Sequence, residues 1–503
     1  MDSPPASRQG KEVPVSYNLL EESWIPVLWK DGHSSRVGVI AALTKAIQIR
    51  QIAASNPMDR LAILRFLLAL LYWCKGNPLD DKDSISSFPS HWFTKLDDNE
   101  NCFNLLGDGK RFYQCKNKSG KEKKLSANYL IQEVPTGTNA WHFRHSTDER
   151  DGLCPACCAS GLLRLPLFAT SGGRGKPPGV NQKPPVYCIP LGGSLAETLC
   201  LSWIKVLDSD LGTPAWEKPD QSLPKHGKVP LLLGLTWLPR RVWLDDPEEA
   251  HTKCISCGLK GPLIRQCVFA GIGSAKTDDE GEPRLWNDPH TLGEGEEILK
   301  PGNALGASDA AAGEWARTAA GLIVANKAHA QKSMWVVSFA TVKNDKYLEA
   351  IEREVALPNG LDDQQAQQGA EKIEKWQKEG WKLAGKARPP GTSRKHPEIL
   401  PMVAAIRPHV EAKVSEKAAE LISGGEDAWE QASREYAPMM SAVAKSLSPG
   451  VTTAALRRRR QIENAKPDMR PKKPATGKTK GKKGGSSDSD RAIHPSPDPF
   501  EIW

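Results

Sequence analysis

The chain has 503 residues, of which 39% are hydrophobic and 25% charged, and its formal net charge is +8. This balance excludes collagenous, wholly disordered and membrane-embedded chains and leaves room for two or three domains. Eleven cysteines, an odd number and several of them isolated in apolar surroundings, argue against a disulfide scaffold.

Residues 1–14 read as a flexible extension without the basic-then-apolar order of a signal peptide. Tyr17 to Trp29 reads as strand-like, with Pro26 placing a turn or an edge inside it. Leu43 to Arg50 and Pro57 to Trp73 read as helices. The second carries Leu and Ile at three- and four-residue spacings and has proline near its start. Its apolar run, Leu61 to Trp73, is the longest in the chain and is too short to cross a bilayer. A cytoplasmic protein without a membrane partner is therefore expected.

Short apolar pieces alternate with polar turns over residues 75–150, and again with Pro and Gly between Leu195 and Trp243. Together these predict one large, irregular, mixed α/β domain over residues 15–360. The texture then changes. Residues 361–450 are rich in Gln, Glu, Lys and Ala, with short links between helical stretches, which predicts a small helical bundle. Residues 451–503 read as a basic, flexible tail. Between Ala454 and Lys483 there are twelve Lys or Arg against two acids, so the rest of the chain is close to −2. Such an arm serves either solubility or contact with a polyanion.

Two Cys-x-x-Cys pairs, Cys154/Cys157 and Cys254/Cys257, stand about one hundred residues apart. A two-residue gap lets two thiolates converge on one ion, and two such knuckles make a tetrahedral set suited to structural Zn2+. Cys158, beside the first pair, is assigned to packing. Shortly after this knuckle comes Ser-Gly-Gly-Arg-Gly-Lys, containing Gly172, Gly173, Arg174, Gly175 and Lys176. It is neither a Walker loop nor a dinucleotide fingerprint. Glycines let the backbone approach a crowded partner, and the two cations favour phosphate, so a DNA minor groove is a candidate surface. A plain surface loop is the other reading. Zinc would hold the loop's base still.

Catalytic motifs are lacking. The histidines form no ligand pattern, no nucleophile elbow is present, and the acid pairs Asp245-Asp246 and Asp278-Asp279 read as solvated turns. A non-enzymatic protein is expected.

Tyr17-Asn18-Leu19-Leu20 followed by Glu22-Ser23-Trp24-Ile25-Pro26-Val27, with both knuckles, resembles the CasA family. This family is the large subunit of the type I-E CRISPR Cascade surveillance complex, and the resemblance covers roughly residues 16–450. It implies a zinc-containing N-terminal domain and a C-terminal four-helix bundle. It also implies recognition of the protospacer-adjacent motif (PAM) on double-stranded target DNA, mostly from the minor groove. Duplex opening for the guide and docking of a helicase-nuclease are further implied roles, with CRISPR RNA and the other Cascade subunits as partners. The family's glycine loop falls on residues 171–175, where Arg174 interrupts the glycines. Its lysine finger falls on Lys276, with Lys260 as the alternative. Its duplex-opening wedge falls on Lys343, Asn344 and Asp345, ahead of an expected helix. Two other classes stand beside this one, although the motifs do not imply the second. One is a zinc-stabilised RNA-binding or structural scaffold, and the other is a metal-dependent nuclease.

Overall fold

A computed structural model describes most of residues 16–291 and 333–356, with single residues between 431 and 460. Residues 170–175, 273–283, 292–332 and 343–345 lie outside the described residues, as does nearly all of 357–503. The expected bundle therefore falls outside them, except that Gln431 and Arg434 are helical.

In chain order the first elements are β1 (Tyr17–Asn18), β2 (Ile25–Trp29), β3 (Ser34–Val37), α1 (Val39–Thr44), β4 (Ile49–Ile52) and α2 (Pro57–Lys75). There follow α3 (Thr94–Asp98), β5 (Asn104–Leu106), β6 (Lys124–Ser126) and α4 (Pro155–Phe168). Next come β7 (Tyr187–Pro190), α5 (Leu195–Ser202), α6 (Asp208–Leu211), β8 (Gly227–Lys228) and α7 (Leu231–Thr236). The last are β9 (Arg240–Leu244), β10 (Gln266–Gly271), β11 (Arg284–Leu285), β12 (Ser333–Val342) and β13 (Lys346–Ala356).

Helix α2 is the centre of the core. Its start is specified locally. The Asn56 side chain accepts the Met58 N–H at 2.8 Å, and Pro57 occupies the first turn, where its missing N–H costs nothing. Gly76, at φ +82°, ends it. The residues from Leu61 to Trp73 are all buried, so the helix is covered all round, by α4, α5 and α7 among others. Beside it Trp216 packs among Phe66, Trp73, Phe103, Phe112 and Tyr113, and burial of such large rings dominates core energetics.

Small sheets surround this helix. The order is β3-β2-β4 in one, β6-β10-β9 in a second and β13-β12-β7 in a third, all antiparallel. β1 pairs with β5, and β11 pairs in parallel with β8. Two expectations are corrected here. Pro26 lies in a central strand, not at an edge. It sits next to the strand's start, and its carbonyl still takes the Ala53 N–H at 2.8 Å. The stretch Leu43 to Arg50 is not one helix. It contains the end of α1, a turn and the start of β4, because Ile49 and Ile52 are drawn into pairing with β2.

Candidate metal centre and nucleic-acid interface

The first knuckle is built by a helix start. Cys154 is the N-cap of α4, Pro155 follows it, and Cys157 lies in the first turn, with the Cys158 N–H bonded to the Cys154 carbonyl at 3.0 Å. The positive end of the helix dipole favours thiolate there. The second knuckle is the tip of the connection from β9 to β10. The Gly258 N–H closes it onto the Cys254 carbonyl at 2.8 Å, and Gly258 takes φ +72°, a value that side chains rarely adopt. The Ile255 N–H donates to the Gly152 carbonyl at 3.2 Å, and Leu153 bridges Ile264, so the two knuckles are tied together across one hundred residues.

The four sulfur atoms all lie within 4.8 Å of one another, and among the described residues this is the cluster that could hold a metal ion. The Cys154 and Cys257 sulfurs are 3.7 Å apart. A tetrahedron with metal–sulfur bonds of about 2.3 Å has edges of about 3.8 Å, so the donor set fits. Hydrogen bonds from the Cys154 and Cys157 thiols hold Cys254 well below the ordinary thiol range, while the same crowding drives Cys157 up. A bound cation would draw the protons from the remaining thiols, so that all four could hold it as thiolates. Cys158 is fully buried, outside the cluster, and its thiol is raised by burial, in keeping with a packing role.

Arg36 was not read from the sequence. It is half-buried on β3. Burial works against its charge, but a hydrogen bond to Cys257 and the proximity of Cys257, Cys154 and Cys157 outweigh it and favour the cation. Four thiolates around a divalent ion would keep a net negative charge, which the Arg36 guanidinium beside Cys257 would offset.

The 14 residues of α4, Cys157 among them, run from the first knuckle to Phe168, about 21 Å of helix. The base of the glycine loop is held by other contacts. The Gly179 N–H bonds the Ala169 carbonyl at 2.8 Å, and the Arg240 guanidinium donates to the Pro177 carbonyl at 2.5 Å. A Cβ at Gly179 would come 2.6 Å from the Pro166 carbonyl oxygen, so glycine permits this closure. Gly172, Gly173, Arg174 and Gly175 lie outside the described residues, whereas Lys176 is half-exposed on the returning leg.

Lys276 also lies outside the described residues, in the connection from β10 to β11. Lys260, the alternative finger, is exposed on the second knuckle. Lys343, Asn344 and Asp345 lie outside too, but their setting is defined. They connect β12 to β13, with Val342 opposite Lys346. The expected helix after them is a strand, since Lys346–Ala356 alternates side chains along β12. Only Met334 to Val337 pair with β7. From Ser338 to Val342 the ribbon runs on with no third strand among the described residues, for about 17 Å. Its root is fixed to α2. Arg60 pairs with Glu352 at 2.9 Å and lies over the Trp335 ring at 5.1 Å, and the Trp335 indole N–H donates to Glu352 at 3.0 Å.

One contact joins the helix that precedes the glycine loop in the chain to the strand that precedes residues 343–345. Phe168, the last residue of α4, meets Phe339 of β12 edge to face at 4.7 Å. The acid pair Asp245-Asp246 is in structural use. Asp245 pairs with Lys124 at 2.7 Å and Asp246 with Arg111 at 3.0 Å. No helix among the described residues is long and apolar enough to cross a membrane.

Comparison with known proteins agrees with this geometry. Residues 18–447 match the family described as CRISPR-associated protein Cse1. CRISPR-associated protein CasA/Cse1 of Thermus thermophilus is 29% identical over 215 residues, which is 40% of this chain. The match spans 42% of that relative. The solved structure of Thermus thermophilus CasA superposes with a TM-score of 0.62 at 18% identity, over 90% of this chain and 99% of that one. A chain of a CRISPR RNA-guided surveillance complex gives a TM-score of 0.62 at 14% identity, over 90% and 99%. These two share the mixed α/β fold. With the profile match covering most of its length, the chain belongs to the Cse1 family, the CasA-type large subunits of the type I-E Cascade complex.

Proposed function

We propose that this chain is the non-catalytic DNA-reading subunit of a CRISPR RNA-guided surveillance complex. It recognises the PAM in double-stranded target DNA, promotes opening of the adjoining duplex, and helps recruit a helicase-nuclease. The other Cascade subunits and their CRISPR RNA are its partners. The observation that supports this reading is the Phe168–Phe339 contact, which brings the end of α4, ahead of the glycine loop in the chain, against β12, the strand that leads to residues 343–345. A reader and a wedge carried by adjoining elements can act on neighbouring base steps. Gly172 and Gly173 would bring main-chain groups to minor-groove base edges, with Arg174 and Lys176 on phosphates and Lys276 approaching the same step. Lys343, Asn344 and Asp345 would enter at the step to be opened, against roughly a few kcal/mol of lost stacking. The cysteine cluster is assigned to structural Zn2+, since four thiolates leave no position open for water.

The test is a guide-loaded complex assembled with variants of this chain. Bulky replacements at Gly172 and Gly173 should abolish preference for the correct PAM while assembly persists. Replacing Lys343, Asn344 and Asp345 together should slow opening, followed with a fluorescent base analogue, more than initial duplex binding. Full PAM discrimination by the glycine variants together with normal opening by the triple variant would refute both assignments. A wild-type complex without any PAM preference would favour the scaffold reading.

A further inference from the structure

The second knuckle exposes more than a metal fold requires. Ile255 is 44% exposed and Leu259 51%, two of the four large hydrophobic side chains that stand exposed among the described residues. Scattered exposed aliphatics need no explanation. These two share one short turn clamped by the Gly258–Cys254 hydrogen bond, by the Cys254 N–H to the Leu259 carbonyl at 2.9 Å, and by the cysteine cluster. A rigid turn presents them at little ordering cost.

The neck of the same turn is unusual in charge. Lys253 and Lys260 are direct partners across an antiparallel bridge, and both are exposed. Like charges placed directly opposite destabilise a strand pair. Among the described residues neither lysine meets a carboxylate, and the nearby Glu248 pairs with Arg265. An anionic partner would relieve this juxtaposition.

We infer that the tip Lys253–Lys260 is a docking knuckle for a protein subunit of the assembly, one that offers an apolar socket for Ile255 and Leu259 rimmed by carboxylates for the two lysines. This rests on the assembly reading given above. Protein is favoured over nucleic acid by the chemistry of the tip. Residues 252–262 hold no aromatic ring and no arginine, the groups on which bases stack. Phosphates would satisfy the lysines and leave the aliphatic pair in water. A socket with an acidic rim satisfies both.

The experiment uses the full chain and a guide-loaded complex purified without it, with affinity measured by titration. I255S/L259S and K253E/K260E are compared with wild type, and metal content and thermal midpoint are read for each. Both pairs should weaken joining at least about tenfold with metal content and midpoint unchanged, and the loss for the lysine pair should shrink as salt rises. Independently of those variants, a photo-crosslinking residue in place of Ser256 should trap a protein subunit in the assembled complex. Wild-type affinity in both variants, or a crosslink to guide RNA or target DNA instead of protein, overturns the docking surface while leaving the assembly reading in place. Failure of the wild-type chain to join the complex overturns both.

Discussion

At the scale of single residues, the cysteine cluster makes the most direct claim. Four sulfurs from two segments one hundred residues apart meet within bonding reach of one ion, and the same segments are stitched by Ile255–Gly152 and Leu153–Ile264 contacts. Metal loss should therefore loosen a junction between α4 and the β9–β10 connection and not merely a surface turn. Elemental analysis of the purified protein should give about one zinc per chain. C157S or C254S should lose it, and the thermal midpoint should fall by roughly 5–10 °C. Retention of zinc by a variant lacking all four thiols would remove the assignment. The cysteine cluster is legible in the sequence because a two-residue gap is a local geometric constraint. Arg36, against Cys257, is not legible, because nothing near it in the chain marks its partner.

At the scale of elements, α2 shows how a strong local signal can hide a long-range one. Asn56, Pro57 and Gly76 specify its ends, and its apolar run specifies its burial. The run is interrupted by Arg65, which is only 2% exposed. Arg65 holds Asp288 in a two-pronged ion pair, at 2.5 and 2.9 Å, and reaches His290 at 3.2 Å. Burial opposes the Asp288 charge, but the Arg65 cation outweighs it and keeps the carboxyl below its usual range. The pair pins residues 288–291 to the core helix. Removing one partner leaves an uncompensated buried charge, so R65M should cost about 3–5 kcal/mol in denaturant unfolding, while R65M/D288L should recover much of it. Equal losses in the single and double variants would show that packing, not charge, makes the link.

For the whole molecule, charge separates body from tail. The basic residues between Ala454 and Lys483 carry more than the entire net charge. Their start is not purely an extended arm. Thr453, Leu456, Arg457, Arg459 and Arg460 are helical, and the Leu456 N–H bonds the Thr452 carbonyl at 3.0 Å. Clustered cations displace counterions from any phosphate backbone and do not distinguish base edges. Truncation after Ser448 should weaken binding to target and non-target DNA alike and make its salt dependence shallower. Loss confined to the PAM-bearing duplex, with an unchanged salt slope, would contradict this role.

The sequence by itself determined the features whose causes are local. These are the helix α2, the two Cys-x-x-Cys knuckles, and the opening motif that carries the family resemblance. It misassigned Leu43 to Arg50, the position of Pro26 and the helix expected after Asp345, because pairing with neighbouring strands overrode local propensity. Only the tertiary structure decided that Phe168 meets Phe339 across the fold. It alone decided that Arg65 finds Asp288, 223 residues away, and that two lysines face each other at a knuckle's neck. Periodicity and spacing act over a few residues, whereas these meetings are set by how packed elements bury their surfaces against one another.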